Sequence, residues 1–233
     1  MIERKQKRFS KTDNEVRKDL YASGFLPSIN WENRAFLCWD VECLMQKMTD
    51  DPTRRLSVHR LVSIGLSMSY EPDSELENVY LERKTMNADD LKDLIRTFRT
   101  TLKEFRDKAF KKLPGELKKG LKALLEFKKT QHYKSSSPNE KTKIDRQLKF
   151  LKNMAILKCY TWNGEKYDHN VIIAPLVHQL LLEKKRIDAI KRGSGFMQII
   201  FDGICLRDMI NFSAPIRLGL LVFLIEIIFI LLI

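Results

Sequence analysis

Cysteine is scarce: four in 233 residues, Cys38, Cys43, Cys159 and Cys205. No pair of them has the spacing of zinc ligands, which argues against a zinc ribbon or finger. A reducing compartment is the natural inference. Cys38 and Cys159 sit inside apolar runs and are expected to be small core residues. The first ten residues, MIERKQKRFS, are not those of a signal peptide, so an intracellular setting, nuclear or cytoplasmic, is expected rather than secretion. A long hydrophobic run is missing too. Residues 218–233 are nearly all Leu, Ile, Val and Phe, but they include Glu226. They also fall short of the roughly 20 apolar residues that a spanning helix requires. This tail leaves a short membrane anchor open as an expectation. Acidic residues are the minority charge, 30 against 42 Lys and Arg, for a net charge of +12.

Such an excess of positive charge favours a polyanionic partner, nucleic acid or an anionic membrane surface, without choosing between them. A basic but otherwise ordinary surface is the plainer alternative. Hydrophobic residues make up 44% and charged residues 31%, which reads as globular, and the length suits one ordinary domain with its own core.

Periodicity organises the chain. Residues 1–25 read as a basic lead-in, flexible or helical. Ala35 to Val41 is a short apolar run with a carboxylate near its end, suited to a buried strand. Leu61 to Met68 alternates apolar with small or polar residues as a second strand would, and Val79 to Leu81 suits a third. From Asn87 the period becomes helical. Leu91, Leu94, Ile95, Phe98, Leu102 and Phe105 form a stripe, with Asn87 as N-cap and Asp89 and Asp90 in the first turn.

Lysine then dominates, and 108–154 read as a helical insertion. Ser135 to Pro138 are expected to be a mobile loop within it. The lysines form either a solvated face or a surface that tracks phosphates. Ala155 to Thr161 returns to strand character. His169 to Lys185 reads as a helix that Pro175 should kink or shift. Met197 to Leu206 reads as strand, with the option of two short strands around Asp202-Gly203. Strands alternating with helices point to an α/β fold.

Two constellations carry chemistry. Asp40-Val41-Glu42 follows a predicted strand, where residues i and i+2 share a side, so its two carboxylates converge on one side at the strand's C-terminal end. Held close, they repel unless a cation neutralises them, and Mg²⁺ or Mn²⁺ prefers such oxygen ligands. D-x-E is nonetheless frequent by chance. The second is Tyr160-Thr161-Trp162-Asn163-Gly164-Glu165-Lys166-Tyr167-Asp168, in which a strand leads through a turn to an aromatic and a carboxylate that open a helix. Alone, Asp168 reads equally as an N-cap and Asn163-Gly164 as a turn.

Together they are more specific. Phe36 to Glu42 resembles the first motif of the DEDD-type proofreading nucleases. Tyr160 to Asp168 resembles their second, an Asn followed four residues on by an aromatic and then Asp. Ile200 to Phe212 is similar to the strand-then-Arg/Asp segment that follows in protein-primed family B DNA polymerases, those of certain viruses, organellar plasmids and Maverick-type transposons. The resemblance covers residues 26–217 in the family's order. It implies an RNase H-like mixed sheet flanked by helices and a 3′→5′ exonuclease using Mg²⁺ or Mn²⁺. Asp40, Glu42 and Asp168 would be the metal-site carboxylates. Asn163 and Tyr167 would position the 3′-terminal nucleotide. The implied partner is DNA with a single-stranded 3′ end, and a terminal protein primer remains open.

The family's third motif, a Tyr with an Asp a few residues on, is not recognised after Asp208; no Tyr follows Tyr167. Polymerase motifs are absent from the chain. The expectation is therefore an incomplete exonuclease domain that binds a cation but trims poorly. A catalytically dead nucleic-acid-binding remnant and a tail-anchored basic membrane protein stand as alternatives.

Overall fold

The computed structural model describes residues 13–47, 57–71, 74–162, 167–192 and 195–209. The apolar tail and Asn163 therefore lie outside the described residues. The chain forms two compact units. The first holds the described residues up to Phe36, together with those of Met68–Glu77 and Thr100–Leu157. The second holds the described residues of Leu37–Ser67 and Asn78–Arg99 and those from Lys158 on.

Seven strands form one mixed sheet, most of it in the second unit: β1 (Phe36–Lys47), β2 (Ser57–Ser69), β3 (Glu77–Glu82), β4 (Leu157–Thr161), β5 (Ile187–Arg192), β6 (Gly195–Phe201) and β7 (Ile204–Asp208). Their order across the sheet is β3-β2-β1-β4-β7-β6-β5. The chain leaves the edge at β3, passes through four helices, and re-enters beside β1 at β4. This crossover makes β1 and β4 central neighbours although more than a hundred residues separate them. Flanked by helices, the sheet is the α/β arrangement expected of an RNase H-like fold.

In β1, Leu37, Trp39 and Val41 are buried while Phe36, Cys38, Asp40 and Glu42 are not. Period-2 alternation thus puts the D-x-E carboxylates on one side, as expected. It also puts Cys38 on that side, so Cys38 is exposed, contrary to the core position expected of it. An apolar run does not override the pleat. The strand is longer than the apolar run suggested and continues to Lys47, which leaves Asp40 and Glu42 mid-strand.

The helices are α1 (13–22), α2 (Ala88–Lys112), α3 (Gly115–Phe127), α4 (Gln131–Ser135), α5 (Pro138–Ala155) and α6 (Asp168–Leu182). In the second unit, α2 begins at the expected cap: Asn87 Oδ1 accepts the Asp90 amide at 2.7 Å. The Asp90 carboxylate accepts in turn from Thr85 Oγ1 and the Thr85 amide. Leu94, Ile95 and Phe98 of α2 are buried, as are Ile172, Leu176 and Leu180 of α6. Both helices reach the same strand residue, since Trp39 packs on Phe98 and His169 with ring centroids at 5.6 and 5.7 Å. Pro175 neither shifts nor breaks α6, which runs through it from Asp168. At the β6–β7 turn Asp202 and Gly203 both have positive φ, 46° and 76°, the geometry of a tight type I′ hairpin. A strand not foreseen, β5, pairs antiparallel with β6.

The first unit has its own core. Val16 and Leu20 of the lead-in are buried with Leu117, Leu121 and Leu124 of α3 and Leu148, Leu151 and Met154 of α5. The lead-in is thus part of the packing from residue 13 on. Gly120 is required there: a Cβ at this position would meet Phe25 Cβ at 2.9 Å. Of the stretch expected to be a loop, Ser136 and Ser137 do separate two helices, while Ser135 ends α4 and Pro138 begins α5. Ser137 caps α5 in a full capping box with Glu140, and Pro138 occupies the first turn. Ser-Pro-Asn-Glu is a helix start, because proline's fixed φ suits that position. The lysine-rich segment is helical as expected, with Lys119, Lys122, Lys129, Lys149 and Lys152 all exposed.

Candidate metal centre

The second unit contains every described residue of the candidate site. Asp40 and Glu42 project from central strand β1. Asp168 is the first residue of α6, which the chain enters soon after β4, the neighbour of β1. A buried hydrogen bond holds Asp168: Thr161 Oγ1, at the end of β4, donates to Oδ2 at 2.5 Å. Asp168 and Thr161 are 3% and 2% exposed.

Burial pushes the Asp168 carboxyl above the ordinary carboxylate range, the Thr161 hydrogen bond opposes that, and the charges of Asp40 and Asp208 add to the rise. Like charges raise one another's pKa only at short range. Alternation sets Asp40 and Glu42 on the face of β1 opposite Trp39, and α6 packs on Trp39 through His169.

Asp208, singled out only as part of the third phrase, reaches the same place. The Met209 amide donates to the Thr161 carbonyl at 2.9 Å, which sets the end of β7 level with the end of β4. Tyr160 and Arg207 hydrogen-bond on one side of this pair of strands, so Thr161 and Asp208, one residue on in each strand, point to the other. Asp208 is 2% exposed.

Tyr167, expected to position the terminal nucleotide, stands at the border of this group. His59 Nδ1 lies 2.9 Å from its hydroxyl, and the two rings meet edge to face. Burial raises the Tyr167 pKa, and a hydrogen bond with Cys43 and the charges of Asp168 and Glu42 raise it further. The hydroxyl stays protonated at any physiological pH and is able to donate to an anion. Cys43 in turn lies close enough to Asp168, Glu42 and Asp40 for their charges to raise its thiol pKa, after burial as the larger cause.

Sequence reading missed Thr161, His59 and Cys43. Thr161 sat within the second motif, and its alternation with Leu157 and Cys159 marks it as inward-facing. Nothing local marks His59, whose role depends on β2 lying beside β1.

Among the described residues no three His, Cys, Asp or Glu side chains are gathered tightly enough to cage a metal ion as they stand. The donor chemistry still suits a hard cation. Every carboxylate here offers oxygen, and Mg²⁺ keeps several waters and takes one or two carboxylates rather than a closed protein cage. Among the described residues no helix is long and apolar enough to cross a membrane.

No family model matches the chain, and no curated protein and no solved structure matches it.

Proposed function

We propose that this chain carries the front part of a 3′→5′ exonuclease domain of the family B DNA polymerase type, acting on the 3′ end of single-stranded DNA. One observation supports this reading above the rest. Asp40 and Glu42 share one side of β1, and Asp168 opens the helix that follows β4, the strand beside β1, where Thr161 at the end of β4 hydrogen-bonds it. Carboxylates that repel across a site gain most when a divalent cation binds between them.

Asp40, Glu42 and Asp168 are the residues to hold Mg²⁺ or Mn²⁺. When bound, a pair of such cations activates a water and neutralises the charge that develops on the scissile phosphate. The protein's own part is orientation. The protonated Tyr167 hydroxyl, which contacts His59 Nδ1, would turn its proton to a phosphate oxygen of the bound 3′ end. Asn163, outside the described residues, would assist.

In this chain no Tyr follows Tyr167, so the water-orienting Tyr of the resembling family is not supplied from that direction. Loss of such a group costs about 10²–10⁴ in rate. The purified chain should bind cation and single-stranded DNA while trimming a 5′-labelled oligonucleotide barely above background in Mn²⁺. The residual trimming should disappear in Asp40→Asn. Trimming from the 5′ end, or residual trimming unchanged in Asp40→Asn, would overturn the reading.

A second reading, a nucleic-acid-binding remnant without catalysis, draws on the exposed lysines of α3 and α5. It predicts DNA binding that is indifferent to Mn²⁺ and to Asp40→Asn.

A further inference from the structure

β3 is an outer strand of the sheet: it neighbours β2, and among the described residues no strand lies beyond it. We propose that β3 is an interface for a second copy of this chain, the two β3 strands pairing antiparallel about a two-fold axis at Tyr80. The inference does not depend on the exonuclease reading.

Backbone direction comes first. The Arg83 amide donates to the Val62 carbonyl of β2 at 3.0 Å. Backbone groups alternate in direction along a strand, so Val79 and Leu81 also address β2. Asn78, Tyr80 and Glu82 direct their amides and carbonyls outward, and such a row is a template for another strand.

The side chains of this outward set are open as well. Asn78, Tyr80 and Glu82 are all exposed. The Tyr80 hydroxyl donates to Ser63 Oγ at 2.8 Å, which holds the ring in place, yet the residue is 65% exposed. On a two-fold axis each such ring meets its own copy, an aromatic cross-strand pair.

Charge then selects the partner. Charges of one sign blunt an edge against pairing. β3 and its flanks instead carry acids at one end, Glu75 and Glu77, and bases at the other, Arg83 and Lys84. Antiparallel pairing centred on Tyr80 sets Glu77 opposite Arg83, and Val79 opposite Leu81, on both sides of the axis. These are the non-hydrogen-bonded positions, where side chains approach closest. Arg83 Nε is buried with no hydrogen-bond partner among the described residues, so this guanidinium has a donor left. A groove of about 440 Å³ between Tyr80–Lys84 and the Asp90–Thr97 part of α2 includes Leu94 in its lining, and it takes the second copy's Val79 and Leu81. The pairing makes about six main-chain hydrogen bonds, and an interface this small is weak and reversible.

The test is sedimentation-velocity ultracentrifugation of the full chain over about a hundredfold range of concentration. The wild type should pass from monomer to dimer as concentration rises. Tyr80→Lys and Tyr80→Glu each set like charges opposite one another, and each alone should raise the dimer dissociation constant by about fivefold or more. An equimolar mixture of the two sets ammonium against carboxylate and should recover to within about threefold of wild type. Tyr80→Pro removes an outward amide and no bond to β2, and should stay monomeric. Circular dichroism confirms that each variant is folded. If the Tyr80 variants do not fold, Asn78→Lys, which faces the second copy's Glu82, should tighten the dimer and Asn78→Glu should weaken it. A wild type that remains monomeric overturns the proposal. Association unchanged by the Tyr80 charges, or a mixture no tighter than either variant alone, also overturns it, because the contact then lies elsewhere. Equal association by Asn78→Lys and Asn78→Glu has the same consequence.

Discussion

His59 and Tyr167 are 108 residues apart in sequence, and the His59 Nδ1 lies 2.9 Å from the Tyr167 hydroxyl. This contact fixes the direction of a hydroxyl at the edge of the carboxylate group. If Tyr167 grips the terminal phosphate, Tyr167→Phe should weaken binding of a 3′-ended single-stranded oligonucleotide by about 3–10-fold, the worth of roughly 1 kcal/mol in hydrogen bonding. His59→Ala should weaken it in the same direction. The double variant should be little worse than Tyr167→Phe alone, since the histidine acts through the hydroxyl. Fluorescence anisotropy measures all three, and additive losses would show that His59 and Tyr167 act separately.

Asp168 gives the stability a pH dependence. Its folded pKa is raised, chiefly by burial. A raised carboxyl favours folding while it is neutral, below its unfolded value near 3.9. That contribution is lost as pH rises through the folded pKa. At neutral pH without metal, the ionised buried carboxylate is therefore a burden. Asp168→Asn, which still accepts from Thr161, should raise the melting temperature at pH 7.5 by roughly 2–4 °C, the effect of about 1 kcal/mol in a chain of this length. The advantage should vanish near pH 3. Adding Mn²⁺ should reverse the ranking, because only the wild type gains from binding. A variant less stable than wild type at pH 7.5 without metal would contradict this.

Arg99, buried within α2, holds the far end of the same unit. Its guanidinium bonds both oxygens of Glu183, at 2.6 and 2.9 Å, just past the end of α6. It also lies 3.6 Å from Asp202 in the β6–β7 turn. Glu183→Ala leaves a buried cation short of its main partner and should cost about 2–3 kcal/mol. Arg99→Ala should cost more, on the order of 3–5 kcal/mol, because packing is lost with the pair. Urea denaturation monitored by circular dichroism measures both, and a loss below about 1 kcal/mol for Arg99→Ala would show that the pair is incidental.

Much of this arrangement was legible in the sequence. Alternation located β1, β2 and β3 and placed Asp40 and Glu42 on one side of their strand. Asn87 and the following carboxylates located the start of α2. Other features were written locally but read wrongly: Ser137-Pro138-Asn139-Glu140 is a capping box, and Cys38 follows the pleat rather than its apolar neighbours. The rest depended on tertiary structure. β5 has little strand character in Ile187-Asp188-Ala189-Ile190-Lys191-Arg192 and owes its conformation to pairing with β6. The Thr161–Asp168 bond and the approach of His59 to Tyr167 require the order of strands across the sheet.

The lysine-rich helices of the first unit bear on DNA affinity. Three phosphate contacts on a single strand release enough counterions for a log–log salt slope of about −2. Affinity for single-stranded DNA should then fall by about 16-fold between 50 and 200 mM salt. Replacing Lys119, Lys122 and Lys129 with Gln should flatten the slope by about the number of contacts removed. An unchanged slope would assign these lysines to a solvated face.

The most direct test of the central claim is isothermal titration of Mn²⁺ into the wild type, Asp40→Asn and Asp168→Asn at pH 7.5. If the carboxylates of β1 and of the α6 start share one cation site, the wild type binds Mn²⁺ and each substitution lowers the affinity by tenfold or more. Each alone should nearly abolish the same binding event, although the two positions lie in different motifs. Mn²⁺ affinity unchanged in either variant, or no binding by the wild type, would contradict the account.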